Sequence, residues 1–180
     1  MQHHTISALV ENSAGVLSQV SRLFSRKGYN IESLAVGVTN DPTVSRMTII
    51  MTGDDLMVKQ MISQFRKLRP VIFVQKLDSE QAVHRELLLI KVNAETRDTR
   101  DEVIQISNIF RANIIDVSRS ALTISNTGDT EKNNALLKLL EEFGILEIAR
   151  TGTIALERGA YTIHDDNKEK GEFNYGKNVL

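Results

Sequence analysis

The sequence predicts an α+β protein made of two tandem ferredoxin-like βαββαβ domains. Three observations predict it. Apolar residues switch between alternating and helical spacing in the order strand, helix, strand, strand, helix, strand. That order then repeats along the chain. Glycine, proline and aspartate fall between the elements, where turns and helix ends need them.

The first unit opens with an apolar strand at 5–11, which runs into the small polar turn Asn12-Ser13-Ala14-Gly15. Val16, Leu17, Val20, Leu23 and Phe24 recur at helical spacing and give one apolar face. Gly28 suits the left-handed residue that ends a helix. A long second strand at 29–39 carries Leu34, Val36 and Val38 on one side, and Asn40-Asp41-Pro42 turns the chain. The returning strand at 45–52 alternates Met47, Ile49 and Met51 against Arg46 and Thr48. Gly53 breaks it, and Asp54 is placed to cap a helix that buries Val58, Met61, Ile62, Phe65 and Leu68. Pro70 ends that helix, and 71–77 is the fourth strand.

The second unit repeats these landmarks. Ile6 and Glu11 recur as Ile90 and Glu95, 84 positions later. Leu17, Val20, Leu23 and Phe24 match Val103, Ile106, Ile109 and Phe110 at an offset of 86. Ile31-Glu32 matches Ile115-Asp116 at 84, and Thr52-Gly53-Asp54 matches Thr127-Gly128-Asp129 at 75. Met61, Ile62 and Phe65 match Leu136, Leu137 and Leu140 at that same offset of 75. Offsets that change between elements fit insertions in loops. The expected organisation is a first domain at 1–77, a polar linker at 78–83, a second domain at 84–159 and a polar tail at 160–180. The stretch 165–178 has no Val, Leu or Ile, so the tail is expected to be mobile.

Composition excludes several functions. The chain has 180 residues, 41% of them apolar, and a net charge of −1, so no strong field argues for nucleic acid or an anionic membrane. It has no cysteine, which removes thiolate catalysis, disulfides and cysteine-ligated zinc. No apolar run approaches the roughly 18–20 residues of a bilayer span. Met1-Gln2-His3-His4 has neither a basic nor an apolar leader region. A cytoplasmic protein without nucleic-acid or membrane partners is expected.

The repeat does not copy the Asn12-Ser13-Ala14-Gly15 turn, whose counterpart reads Thr96-Arg97-Asp98-Thr99-Arg100. The fold alone therefore does not require Asn12 or Gly15. A helix N-terminus carries unpaired N–H groups and partial positive charge, and so is suited to an anion. Gly15 permits close approach, and Asn12 and Asn30 each offer a donor and an acceptor. Together they suit one small space that holds an amino acid, with its carboxylate and ammonium, and offer nothing that reacts with it. The residues also fit a plainer role, with Asn12 or Ser13 capping the helix, Gly15 easing the turn and Asn30 opening a strand.

Three stretches carry a family resemblance: Glu11-Asn12-x-x-Gly15-x-Leu17; Arg22-Leu23-Phe24-Ser25-x-x-Gly28-Tyr29-Asn30-Ile31-Glu32-Ser33-Leu34; and Asp41-Pro42-x-x-Ser45-Arg46-Met47-Thr48. They resemble the small regulatory subunits of acetolactate synthase (acetohydroxyacid synthase). Arg85-Glu86-Leu87-Leu88-Leu89-Ile90-Lys91-Val92, Phe110-Arg111-Ala112-Asn113-Ile114-Ile115-Asp116-Val117 and Ala149-Arg150-Thr151-Gly152 extend the resemblance over about residues 5–159.

The resemblance implies that the first domain is an ACT domain and that the chain has no catalysis or cofactor of its own. It implies a large catalytic subunit holding thiamine diphosphate, Mg²⁺ and FAD, which condenses two pyruvates or pyruvate with 2-ketobutyrate. The small subunit would raise that activity and confer feedback inhibition by valine in branched-chain amino acid biosynthesis. ACT domains would pair as a homodimer. The effector would lie between Asn12, Ser13, Ala14, Gly15, Val16 and Leu17 of one chain and Asn30 and Ile31 of the other. Ser13-Ala14 departs from the charged residue and serine frequent in that family, which leaves the choice of effector open. The dimer also fits the physics. In a 4-1-3-2 sheet the second strand is an edge, and pairing it with its copy removes that edge through a two-fold interface.

Other functions find little support. RNA readers of this fold stack bases on strand aromatics, and Ile6, Ala8, Met47 and Ile49 offer none. Metallochaperones of the fold need a cysteine pair. His3 and His4 at a frayed start, His84 and His164 have no catalytic partner at a telling spacing, and Glu11 and Glu32 fit strand-end solvation better than a carboxylate pair. Arg46 points away from the Met47 face, as a surface charge or a partner contact. An ACT protein with a different client, or a dimerisation module with an empty site, remain as alternatives.

Overall fold

The computed structural model describes residues 2–163. Its first unit contains β1 (Gln2–Glu11), α1 (Val16–Lys27), β2 (Ile31–Val38), β3 (Val44–Gly53), α2 (Asp55–Phe65) and β4 (Val71–Leu77). The antiparallel sheet runs β2-β3-β1-β4, so β2 is the expected edge. The second unit contains β5 (Ala82–Asn93), α3 (Arg97–Phe110), β6 (Asn113–Val117), β7 (Ala121–Gly128), α4 (Thr130–Leu140), a 3₁₀ turn (Glu141–Phe143) and β8 (Ile145–Arg150). A further strand, β9 (Ile154–Glu157), follows. Its sheet runs β6-β7-β5-β8, with β9 paired to β5. Both halves are therefore the expected ferredoxin-like units.

Alternation along the strands sends every second residue to the helices. Ile6, Ala8, Val10, Met47, Ile49 and Met51 pack against Val20, Phe24, Val58, Met61 and Phe65. Phe24 and Phe65 meet edge-to-face, with ring centroids 6.2 Å apart and planes at 87°. In the second core Leu88, Ile90, Val92, Leu122 and Ile124 pack against Val103, Leu136 and Leu140. Each buried Val, Leu, Ile, Met or Phe side chain contributes about 1.5–3 kcal/mol by leaving water. The repeated aspartates act alike: Asp54 accepts from the Met57 N–H at 2.7 Å and Asp129 from the Lys132 N–H at 2.8 Å.

Several boundaries differ from the sequence expectation. β1 begins at Gln2, and buried His4 donates from Nε2 to Gly53 O at 3.1 Å, so this end is not frayed. β2 begins at Ile31 rather than residue 29. Gly28 ends α1 at φ +70° and Tyr29 N–H bonds back to Phe24 O, which holds Tyr29 and Asn30 out of the strand. Arg111 makes the same left-handed cap at φ +54°, with Ala112 N–H returning to Ser107 O. The two caps set the true offset of the first helices at 83 rather than 86. Ser107, not Ile109, then takes the place of a core residue, and Ile109 is 77% exposed.

β5 opens at Ala82, inside the stretch expected to be a linker at 78–83. Ala82 pairs with Glu157 and Arg85 with Ile154. Ala82 and Ala155 form a small core with Leu77 of the first unit. β1 is buried from His4 to Val10 on both faces, as a central strand with helices on one side requires only if something covers the other. Thr5 Oγ1 meets His84 Nε2 at 3.2 Å, and Gln75 Nε2 donates to Glu157 Oε2 at 3.3 Å. The β5 start and β9 thus lie against the first sheet. Ile163, in the stretch expected to be tail, is buried. Residues 164–180 of that tail, His164 among them, lie outside the described residues.

Candidate functional site

At the end of β1 the Asn12 N–H donates to Thr43 O at 2.7 Å and its Nδ2 donates to Pro42 O at 2.9 Å. The turn it grips is stiff. Asp41 Oδ1 accepts from Thr43 Oγ1 at 2.7 Å and from the Thr43 N–H at 2.8 Å, and these two bonds hold the Asp41 carboxyl below the usual carboxylate range. Asn12 therefore commits one of its two amide N–H donors inside the protein and keeps Oδ1 as the acceptor it can offer an ammonium group.

Ser13, Ala14 and Gly15 are exposed, and Gly15 sits at φ +84°, where a Cβ would meet nothing within 4 Å. Buried Val16 roots the helix behind them, while Leu17 is 46% exposed. The α1 N-terminus has no side-chain cap and no acid in its first turn. The other three α-helices among the described residues have both: Asp54 with Asp55, Thr96 with Asp98, and Asp129 with Glu131. In the second half Thr96 takes up the Thr99 N–H, and Arg100 Nη2 bonds Ala94 O, Ser118 O and Arg119 O at 2.8–3.0 Å. That space is closed from within. The α1 space is open, with its N–H groups and positive dipole end facing out.

Asn30 and Ile31 do not join this turn within one chain. Ile31 pairs with Met51, whereas Glu11 pairs with Val44 at the opposite end of β3. Seven strand steps separate those ends, roughly 23 Å at the usual rise. The expectation of two carboxamides facing one small space fails for a single chain.

Residues 6–73 match the family described as "AHAS small subunit-like ACT domain", and residues 85–159 match "Small subunit of acetolactate synthase". The chain belongs to the acetolactate synthase small-subunit family. The acetolactate synthase small subunit of Mycobacterium bovis is 51% identical over 156 residues, 87% of this chain and 92% of that one. That of Aquifex aeolicus is 43% identical over 168 residues, 93% of this chain and 88% of that one. The crystal structure of the acetolactate synthase small subunit from Thermotoga maritima superposes with a TM-score of 0.83 at 40% identity. It covers 89% of this chain and all of its own.

Within this member of the acetolactate synthase small-subunit family, Glu32, Arg46 and His84 have partners inside the chain. Glu11 and Glu32 lie at opposite ends of the sheet, and Glu32 is held by His3 Nδ1 at 2.7 Å and by the Thr52 hydroxyl. Half-buried Arg46 donates from Nε to Ser7 Oγ at 3.1 Å; burial lowers its guanidinium pKa and Glu157 raises it. Burial lowers the His84 imidazole pKa, Arg158 adds to the fall and Asp129 opposes it. Among the described residues no cluster of three or more His, Asp or Glu could hold a metal, and no helix is long and apolar enough to cross a membrane.

Sequence reasoning missed one buried polar network. Asn133 Nδ2 donates to Glu86 Oε2 at 3.2 Å, Asn126 Nδ2 donates to Asn133 Oδ1 at 2.7 Å, and Arg150 Nη1 lies 3.5 Å from Glu86 Oε2. Asn126 Oδ1 has no donor among the described residues. The repeat held the signal: at an offset of 75, Asn126 and Asn133 stand where the first half has the core residues Met51 and Val58.

Proposed function

We propose that this chain is the regulatory subunit of acetolactate synthase. It pairs through its ACT domain, binds valine between two chains and passes that occupancy to the large catalytic subunit. The observation that carries this reading is the N-terminus of α1, without a side-chain cap and open beside Gly15, while every other α-helix among the described residues caps its own. A carboxylate there gains from the unpaired N–H groups and the dipole, about 0.3–2 kcal/mol for the dipole alone. The Asn12 acceptor suits the ammonium, and exposed Leu17 suits a short branched side chain.

The free β2 edge supports the pairing. Val36 and Val38 are 47% and 58% exposed although they lie on the apolar face of the strand. Antiparallel pairing of β2 with its copy about a two-fold axis carries the copy's Asn30 and Ile31 to the end where Asn12 lies. The site is then made from Asn12, Ser13, Ala14, Gly15, Val16 and Leu17 of one chain with Asn30 and Ile31 of the other.

Chemistry belongs to the large subunit, which supplies thiamine diphosphate, Mg²⁺ and FAD in the cytoplasm. This chain raises its activity and makes it valine-sensitive, through unequal affinity of valine for two arrangements of the dimer. Calorimetry of the purified chain with valine, leucine and isoleucine tests the binding step. Saturable binding of valine is expected. No heat and no thermal shift with any of the three would contradict the reading and leave a dimerisation module with an empty site.

A further inference from the structure

The effector strand β2 meets the second domain at Ser33, where two interruptions of regular strand come together. On β2, Ile31 faces Met51 and Ser33 faces Ile50, so Glu32 is an extra residue that bulges and re-aims Ser33. On the second domain, Leu88 faces Arg150 and Arg85 faces Ile154, so Thr151, Gly152 and Thr153 stand against only Glu86 and Leu87. Gly152 makes this bulge in the left-handed region at φ +78°.

The break takes the N–H of buried Thr153 out of the ladder, and it donates instead to Ser33 Oγ at 3.0 Å. A Cβ on Gly152 would lie 2.8 Å from Ser33 Oγ and 3.1 Å from Leu34 O, so only glycine lets the backbones approach this closely. β9 follows directly and lies against the first sheet through Ala155 and Glu157.

We propose that Ser33, Gly152 and Thr153 form the joint that couples the effector strand to the second domain. Ser33 and Gly152 act as positioning residues for regulation. This rests on valine binding at Asn30 and Ile31, three and two residues before Ser33. A ligand that straightens or tightens the Glu32 bulge moves Ser33 Oγ, and Thr153 with β9 must follow or lose the bond. Occupancy of the ACT site thereby changes how the second domain is held.

Hydrogen–deuterium exchange on the full chain, with and without valine, tests the joint. In the wild type, valine should change protection of Thr153 and β9 at least threefold. In Ser33→Ala that change should vanish while the valine Kd moves less than threefold, and Ser33→Thr, which keeps a hydroxyl, should restore it. In the reconstituted enzyme Ser33→Ala should still activate but lose at least half of the maximal valine inhibition. Unaltered exchange coupling and full inhibition in Ser33→Ala would overturn the joint alone. A wild type that neither binds valine nor affects the large subunit would overturn the proposed function and the joint with it.

Discussion

Asn12 and Asn30 lie at opposite ends of one sheet, Asn12 beside the 41–43 turn and Asn30 beside the Met51 end of β3. An effector that touches both therefore needs two chains. Asn12→Ala and Asn30→Ala homodimers should each lose valine binding at least tenfold. A mixed dimer of the two variants contains one doubly damaged site and one intact site. It should recover near wild-type affinity at half the stoichiometry, read by calorimetry after mixing and refolding. No recovery on mixing would show that Asn12 of one chain and Asn30 of the other do not share a site.

Gly15→Asp should fold and yet lose valine. Its Cβ has open space, and the left-handed backbone costs a non-glycine residue about 1–2 kcal/mol, at the low end for aspartate. Its carboxylate would occupy the positive end of α1 that the ligand needs. Binding should fall by at least about tenfold, which is 1.4 kcal/mol. Activation of the large subunit should persist. A variant enzyme as valine-sensitive as the wild type would contradict the assignment of the turn.

His84 makes stability depend on mild acid. Burial lowers its folded pKa below the ordinary 6.5, so the unfolded chain takes up a proton that the folded chain refuses. The stabilisation is complete above about pH 6.5 and declines as the pH falls below it. From about pH 7.5 to 5.5 the urea midpoint of the wild type should fall more steeply than that of His84→Gln. Equal slopes would show that His84 does not carry the dependence.

The polar network in the second core is a stability element. Asn133→Ala would strip a donor from buried Glu86 and leave Asn126 Nδ2 without its acceptor. The loss should be about 1–3 kcal/mol by urea unfolding. A change below about 0.5 kcal/mol would mean that water replaces the amide at no cost.

The repeat was legible because its landmarks are local. Asp54 and Asp129 each cap a helix three residues ahead, and a cap is visible in a few letters. The 12–15 turn stood out because the repeat does not copy it, whereas its lack of a side-chain cap shows only in the structure, since Asn12 and Ser13 both read as possible caps. Helix faces were harder. Ile109 had the spacing of a core residue but is exposed, and the place of Phe24 falls to Ser107, which turns its hydroxyl onto Val103 O at 2.8 Å and so hides a polar side chain in an apolar environment. Long-range pairing was not legible at all. β9 reads as an ordinary extension because its partner, Ala82–Arg85, begins inside the stretch expected to be linker and lies some seventy residues earlier. Ser33 and Thr153 are 120 residues apart, and no local pattern announces a hydroxyl that replaces a ladder partner.

The most direct test of the central claim is acetolactate formation by the purified large subunit, measured with and without this chain and with increasing valine. The account predicts a several-fold rise on adding the chain, reversed by valine, with the reversal absent when Gly15→Asp replaces the wild type. No rise in activity, or a rise with valine sensitivity already present in the large subunit alone, would contradict it.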